Sequence, residues 1–188
     1  MSIEINQYFV IFLIVFLLRN VFELILQPTD KHKNNSEKDG KITIVVYTVL
    51  FLGSGTAVWI YLLFDPQVKP LVYYSGVVLL VMAFILRMIT LQRIKRSFSL
   101  YINTLPSDLL ITDGIYRIIR HPAYTFYSLE MLAFVVIKFN YFSLIALALD
   151  VLITLRRINK EEEFLLQRFG DKYSKYRKET KKLIPFVY

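Results

Sequence analysis

Cysteine is absent from all 188 residues. That excludes disulfides, thiolate nucleophiles and cysteine-built metal sites. Histidine occurs only twice, at His32 and His121, so a histidine-rich metal site is not expected and no metal is assigned. Charge is sparse as well: 20% of residues are charged, against 55% hydrophobic with 15 Phe and 13 Tyr. A soluble domain of this size does not need so much apolar material, and here it comes in blocks longer than a core helix requires. Crossing a bilayer takes about 20 apolar residues, and several blocks approach that length. The expected class is therefore an all-α integral membrane protein. No signal peptide is expected, because Met1-Ser2-Ile3-Glu4 is not a basic leader and the apolar block behind it is too long.

Five apolar segments are expected as helices. The first runs from Ile3 to Leu26 and is interrupted by Arg19, Asn20 and Glu23; Arg19 and Glu23 are four apart and can pair on one face. That pair is expected to sit near the interface without chemistry. The second segment, Ile42 to Phe64, contains Gly53-Ser54-Gly55, read as a close-packing site for another helix. The third runs from Leu71 to Leu91 and carries Arg87. The fourth, Pro122 to about Ile137, and the fifth, Tyr141 to Leu155, are separated by Lys138-Phe139-Asn140. At about 1.5 Å per residue each of these two is roughly 24 Å long or less, so they are expected to form a helical hairpin packed against the first three. Glu130 and Asp150 would then lie at membrane depth, where acids face a partner or a cavity. Arg87 is a candidate partner for either, and Glu130 a candidate neighbour of a site.

Positive charge tests this layout. Of the 23 Lys and Arg, nineteen fall in Gln27–Lys41, Gln92–His121 and the tail from Arg156, while the alternate loops hold two. Positive residues favour the cytoplasmic side, so five spans place the N-terminus outside and the tail in the cytoplasm. The net charge of +8 then reads as a topology signal and an attraction for anionic lipid, with no nucleic acid expected as partner.

Asp113 to Tyr124, DGIYRIIRHPAY, is the densest chemical stretch. Pro122 lacks a backbone donor and suits the first turn of a helix. His121 then stands where the exposed amides of that helix begin, a setting suited to a polar, partly anionic ligand. An ordinary basic turn anchoring a membrane helix explains the same residues. The tail, Arg156 to Phe169, continues the fifth helix as an amphipathic stretch that Gly170 stops. A second, basic helix over Asp171–Lys182 carries Tyr173 and Tyr176. Arg157 and Glu161 share a face with Glu162 beside them; by themselves they read as a surface ion pair worth under about 1 kcal/mol, with the basic helix resting on anionic headgroups.

Taken in order, Gly114-x-Tyr116, Arg120-His121-Pro122-x-Tyr124, Arg157-x-x-x-Glu161-Glu162 and Phe169-Gly170-x-x-Tyr173-x-x-Tyr176 followed by Pro185 resemble the isoprenylcysteine carboxyl methyltransferase family, and more loosely the phospholipid N-methyltransferases. The resemblance covers about half the chain, from Gln92 onward; the first three segments match only in hydropathy. It implies two parts, three N-terminal transmembrane helices over 1–91 and a methyltransferase core over 92–188. It implies S-adenosylmethionine as cofactor without a soluble nucleotide-binding domain, and no Gly-x-Gly-x-x-Gly follows a strand here. By the same resemblance Leu110, Ile111, Tyr116, His121, Pro122, Ala123, Tyr124 and Glu161 hold the cofactor. Arg157 contacts the acceptor, and Arg157 with Glu161 forms the catalytic pair. These roles are chemically sensible: a carboxylate accepts from hydroxyls or an ammonium, aromatic rings face a cation, and Arg clamps a carboxylate bidentately.

The implied reaction is in-line methyl transfer to a lipophilic acceptor, foremost the carboxylate of an isoprenylcysteine-like substrate entering from the bilayer. An ionised carboxylate needs no general base, so positioning and water exclusion carry the rate. An amine or phenol acceptor would need one, with Glu161, Glu162 or His121 as candidates. The chain departs from the family over Ser97–Ser107, which lacks the usual Gly-rich, Trp-containing stretch and has Phe98-Ser99 instead. Amino-lipids and lipophilic phenols or pyrones therefore stay open as acceptors. Two other classes compete: an NADPH-dependent sterol-type membrane reductase, which shares an Arg-His-Pro-like corner and a similar tail, and a non-catalytic membrane module.

Overall fold

The computed structural model describes residues 7–26, 38–65, 67–94 and 110–185. Within these the chain is helical: α1 (Gln7–Leu26), α2 (Lys38–Phe64), α3 (Pro70–Ile94), α4 (Pro122–Ile137), α5 (Tyr141–Phe169) and α6 (Asp171–Glu179), with a 3-10 turn at Gly114–Arg117. Over its described residues, every apolar block expected from sequence is part of a helix. Ser97–Ser107, where the resemblance would place acceptor choice, the loop residues 27–37 and Pro66 lie outside the described residues.

Two segments, Val45–Phe64 and Pro70–Arg93, are long and apolar enough to cross a membrane. α4 is apolar but has only 16 residues. α5 has 29 residues, but it turns polar past Leu155. Continuity through Arg156 follows from the absence of any helix breaker before Gly170, whose φ of 53° ends the helix in a region L-residues avoid. α6 stops at Glu179, three residues short of the expected Lys182. The cause is tertiary: Thr180 is extended, and Lys181 pairs in parallel with Ile119.

α3 lies along α4, and α4 and α5 form a hairpin around Lys138–Asn140. Asn140 caps α5 by accepting from the Ser143 amide at 2.8 Å. Lys138 ties the turn to the α2–α3 connection through Asp65 (2.8 Å) and the Gln67 carbonyl (2.7 Å). A cluster of Phe12, Phe51, Val58, Leu80, Met131 and Phe134 fills the centre of the bundle. Gly53 and Gly55 pack as expected: an added Cβ would come within 2.9 Å of Phe142 and 2.1 Å of Phe16.

The Arg19–Glu23 pair differs from the sequence expectation. It is not an isolated interfacial pair but half of a buried four-charge network joining α1, α3 and α4. Glu130, fully buried, accepts from Arg19 Nε at 2.8 Å and Nη2 at 2.6 Å, and from Arg87 Nε at 2.6 Å. Glu23 closes the ring by pairing with Arg87, and it lies 3.4 Å from Arg19. Arg19 also stacks over Phe51 at 3.7 Å. Two cations and two anions balance, which is what makes them tolerable away from water. Asp150 takes the other course: its partner is the Ser128 hydroxyl, 2.7 Å away, and not Arg87.

Candidate functional site

The corner preceding α4 begins with a glycine that a side chain would obstruct. Gly114 has φ 60°, and a Cβ there would fall 2.1 Å from Arg93 Nη1; Arg93 in turn pairs with Asp113 at 3.4 Å. The 3-10 turn then delivers Ile118 to His121 against the tail. The Arg120 amide donates to the Lys181 carbonyl (2.8 Å), the His121 amide to the Lys182 carbonyl (3.2 Å) and the Lys181 amide to the Ile118 carbonyl (3.1 Å). Thr125 adds a hydroxyl bond to the Leu183 carbonyl at 2.9 Å. The His121 amide itself is thus taken by the chain. No side chain caps α4, and Pro122 at its first position has no N–H.

Side chains complete the clamp. Arg120 Nε donates to Glu162 Oε1 at 2.8 Å, and its Nη1 reaches the Arg177 carbonyl at 3.0 Å and the Thr180 carbonyl. His121 Nε2 lies 3.3 Å from the same Glu162 oxygen. Arg177 and Lys182 approach the other Glu162 oxygen at 3.7 Å each. Burial by itself would raise the Glu162 carboxyl, but hydrogen bonds from His121 and Arg120 and the charge of Arg120 outweigh it and hold it down at about 2. Sequence reading placed Glu162 beside Arg157 and Glu161 and as a candidate base for an amine or phenol acceptor; its burial and its role as hub follow from the tail folding back, which no local pattern announces.

A depressed carboxyl has a definite pH signature. With a folded value near 2 against the ordinary 4.5, Glu162 stabilises the fold fully above about pH 4.5 and progressively less as pH falls toward 2. Glu162→Gln is expected to flatten that acid limb of the stability–pH curve, measured by denaturant unfolding in detergent. An unchanged limb contradicts the assignment.

One helical turn from this hub lies the second cluster. Arg157 Nε donates to the Tyr124 hydroxyl at 2.7 Å, and that hydroxyl donates to Glu161 Oε2 at 3.1 Å. His121 Nδ1 stands 4.0 Å from the same Glu161 oxygen. Arg157 and Glu161 are therefore not a bare surface pair; Tyr124 from α4 bridges them. His121, Tyr124, Arg157 and Glu161, separated by up to forty residues in sequence, converge where the corner meets α5. Pro122 and Ala123 stand between them in the first turn of α4. Tyr116 is buried just ahead of the corner, its carbonyl accepting from Tyr176 Oη at 2.6 Å; burial, and then the nearby Glu161 charge, push its hydroxyl well up. Leu110 and Ile111 are half-buried before the 3-10 turn and share no hydrogen bond with the cluster among the described residues. No group of three metal-ligating side chains occurs among the described residues.

The model for the isoprenylcysteine carboxyl methyltransferase (ICMT) family matches residues 76–167, spanning α3, the corner and most of α5. A probable protein-S-isoprenylcysteine O-methyltransferase of Oryza sativa subsp. indica is 33% identical over 127 residues, 65% of this chain and 66% of that protein. The Schizosaccharomyces pombe protein-S-isoprenylcysteine O-methyltransferase is 36% identical over 80 residues, 42% of this chain and 34% of that one. The Homo sapiens enzyme is 28% identical over 146 residues, covering 75% and 51% respectively. The match thus spans about two thirds of the curated relatives' length or less. The solved structure of a eukaryotic intramembrane Ras methyltransferase, ICMT, superposes with a TM-score of 0.68 at 22% identity, over 96% of this chain and 67% of that one. It shares the fold.

Proposed function

As this chain belongs to the isoprenylcysteine carboxyl methyltransferase family, we propose that it is an integral membrane methyltransferase. It uses S-adenosylmethionine to methylate a lipophilic acceptor, foremost the carboxylate of a prenylated cysteine. The observation that carries this reading is the hydrogen-bonded chain from Arg157 through Tyr124 to Glu161, with His121 Nδ1 4.0 Å from the same Glu161 oxygen.

The residues fit such a ligand. Glu161 has 29% of its side chain exposed and keeps acceptor capacity beyond the single Tyr124 bond found among the described residues, suiting ribose hydroxyls or an ammonium. The rings of Tyr124 and Tyr116 and the uncapped first turn of α4 supply π faces and amide donors beside it. Leu110 and Ile111 would flank the apolar side. A bound sulfonium donor would supply an activated methyl group, for transfer from sulfur to a carboxylate oxygen. Arg157 holds the acceptor carboxylate through paired N–H groups. Because that oxygen is already ionised, no residue here needs to remove a proton. Catalysis comes from alignment and from keeping water away from the nucleophile.

For the membrane arrangement we keep five spans, with residues 1–91 as the base, residues 92–188 as the chemical half, the N-terminus outside and the tail cytoplasmic. The outward face supports it: Leu71 is 83% exposed, Phe64 80% and Ile25 69%, along with many Val, Leu and Ile of α1, α2, α3 and α5. Water does not favour such a continuous apolar belt. The basic residues of α6 would rest on anionic headgroups, and the acceptor would enter laterally between helices.

Incubating membranes that contain the protein with methyl-labelled S-adenosylmethionine and prenylated acceptors, then identifying the labelled product, tests the reading. Base-labile label in a methyl ester is the expected result. Thermal stabilisation by NADPH in place of S-adenosylhomocysteine would move the chain to a reductase.

A further inference from the structure

We propose that the Tyr124 hydroxyl is a positioning group that couples acceptor binding at Arg157 to donor binding at Glu161. The proposal rests on the methyltransferase reading above and deepens it. Its ground is the direction of two hydrogen bonds. A guanidinium only donates, so at 2.7 Å Arg157 Nε must be giving its proton to the Tyr124 oxygen. A phenol has one proton, and the Glu161 carboxylate 3.1 Å away receives it. The relay therefore runs one way, from Arg157 through Tyr124 to Glu161. It joins α4 to two positions one turn apart on α5.

Two consequences follow. With its Nε edge engaged by Tyr124, Arg157 is held in one orientation toward an incoming carboxylate. A guanidinium serves a planar anion and offers nothing to an amine, so Tyr124 also contributes to selecting a carboxylate acceptor. The second consequence is cooperative. Whichever ligand arrives first orders the three linked side chains, and the other then binds a site already ordered. Fixing one or two long side chains corresponds to about a three- to tenfold change in affinity.

The test measures S-adenosylhomocysteine binding to the purified full-length protein with and without an N-acetylated S-prenylcysteine, a pair that cannot turn over. The native protein is expected to bind S-adenosylhomocysteine about three- to tenfold more tightly when the acceptor is present. Tyr124→Phe is expected to abolish that enhancement and to raise the acceptor KM about tenfold, while affinity for S-adenosylhomocysteine alone falls by no more than about threefold. Arg157→Lys, which keeps the cation but lacks the Nε donor, should lose the enhancement too and provides the reading if Tyr124→Phe does not fold. Enhancement that survives both substitutions overturns the proposal. So does an affinity loss in Tyr124→Phe that is the same with and without acceptor. A native protein that transfers methyl groups but shows no enhancement overturns the coupling alone, whereas one that neither binds S-adenosylhomocysteine nor transfers methyl overturns the methyltransferase reading with it.

Discussion

Glu130→Ala is expected to destabilise the protein by about 3–5 kcal/mol, the cost of leaving buried charge uncompensated. Glu130 receives both Arg19 and Arg87, each of them buried. Without it the two guanidiniums share Glu23 alone, so one net positive charge is stranded inside the helix bundle. Denaturant unfolding in mixed micelles, or the yield of monodisperse protein where the variant is too weak to measure, reads the effect. Lys138→Ala is the contrast, since its partner Asp65 is 59% exposed; the midpoint should barely move. A Glu130→Ala protein as stable as the parent would mean that the network contributes nothing, and the assignment would fall.

The second large effect concerns Arg157. Arg157→Ala is expected to lower kcat/KM for a prenylated carboxylate by about two to three orders of magnitude, the range for truncating one member of a hydrogen-bonded charge pair. S-adenosylhomocysteine affinity should change far less, because Glu161 and the first turn of α4 remain. Steady-state kinetics beside direct ligand binding separates the two. Equal losses in both would show that Arg157 supports the donor rather than the acceptor.

How far such assignments were legible in sequence depends on the range of the interaction. Helix locations came directly from apolar blocks, because burial or lipid exposure imposes a run of residues on each helix. The Gly170 stop is a local signal. Glycines 53 and 55 were readable as packing points because a missing side chain permits close approach wherever the partner lies. Register between helices was not readable. Arg19 and Glu23 reveal their spacing of four, but only the rotation of α1 against α3 and α4 turns them inward toward Arg87 and Glu130. Asp150 shows the converse: apolar neighbours in sequence gave no hint that Ser128, rather than an arginine, would be its partner.

At the site, the ordered motifs singled out residues that lie together yet not their connectivity. His121, Tyr124, Arg157 and Glu161 were singled out as residues of one site, and the structure brings them together. Sequence paired Arg157 with Glu161 through helical spacing, and the bridging Tyr124 comes from another helix. Glu162 was legible as a neighbour of Arg157 and Glu161 and a candidate base, but not as the hub to which the tail returns Arg177 and Lys182. The shortened α6 has the same origin, since Lys181 gives up helical hydrogen bonds for the Ile118 and Arg120 backbone.

That returning tail also sets an order of events during synthesis. Arg120 finds its Thr180 partner sixty residues later in the chain, so at about 5–20 residues per second the ribosome needs about 3–12 s to supply it. Over that interval α4 has been made but its corner has nothing to lean on. The corner therefore cannot complete its backbone bonds to Lys181 and Lys182 until those residues have been made, however early α4 forms.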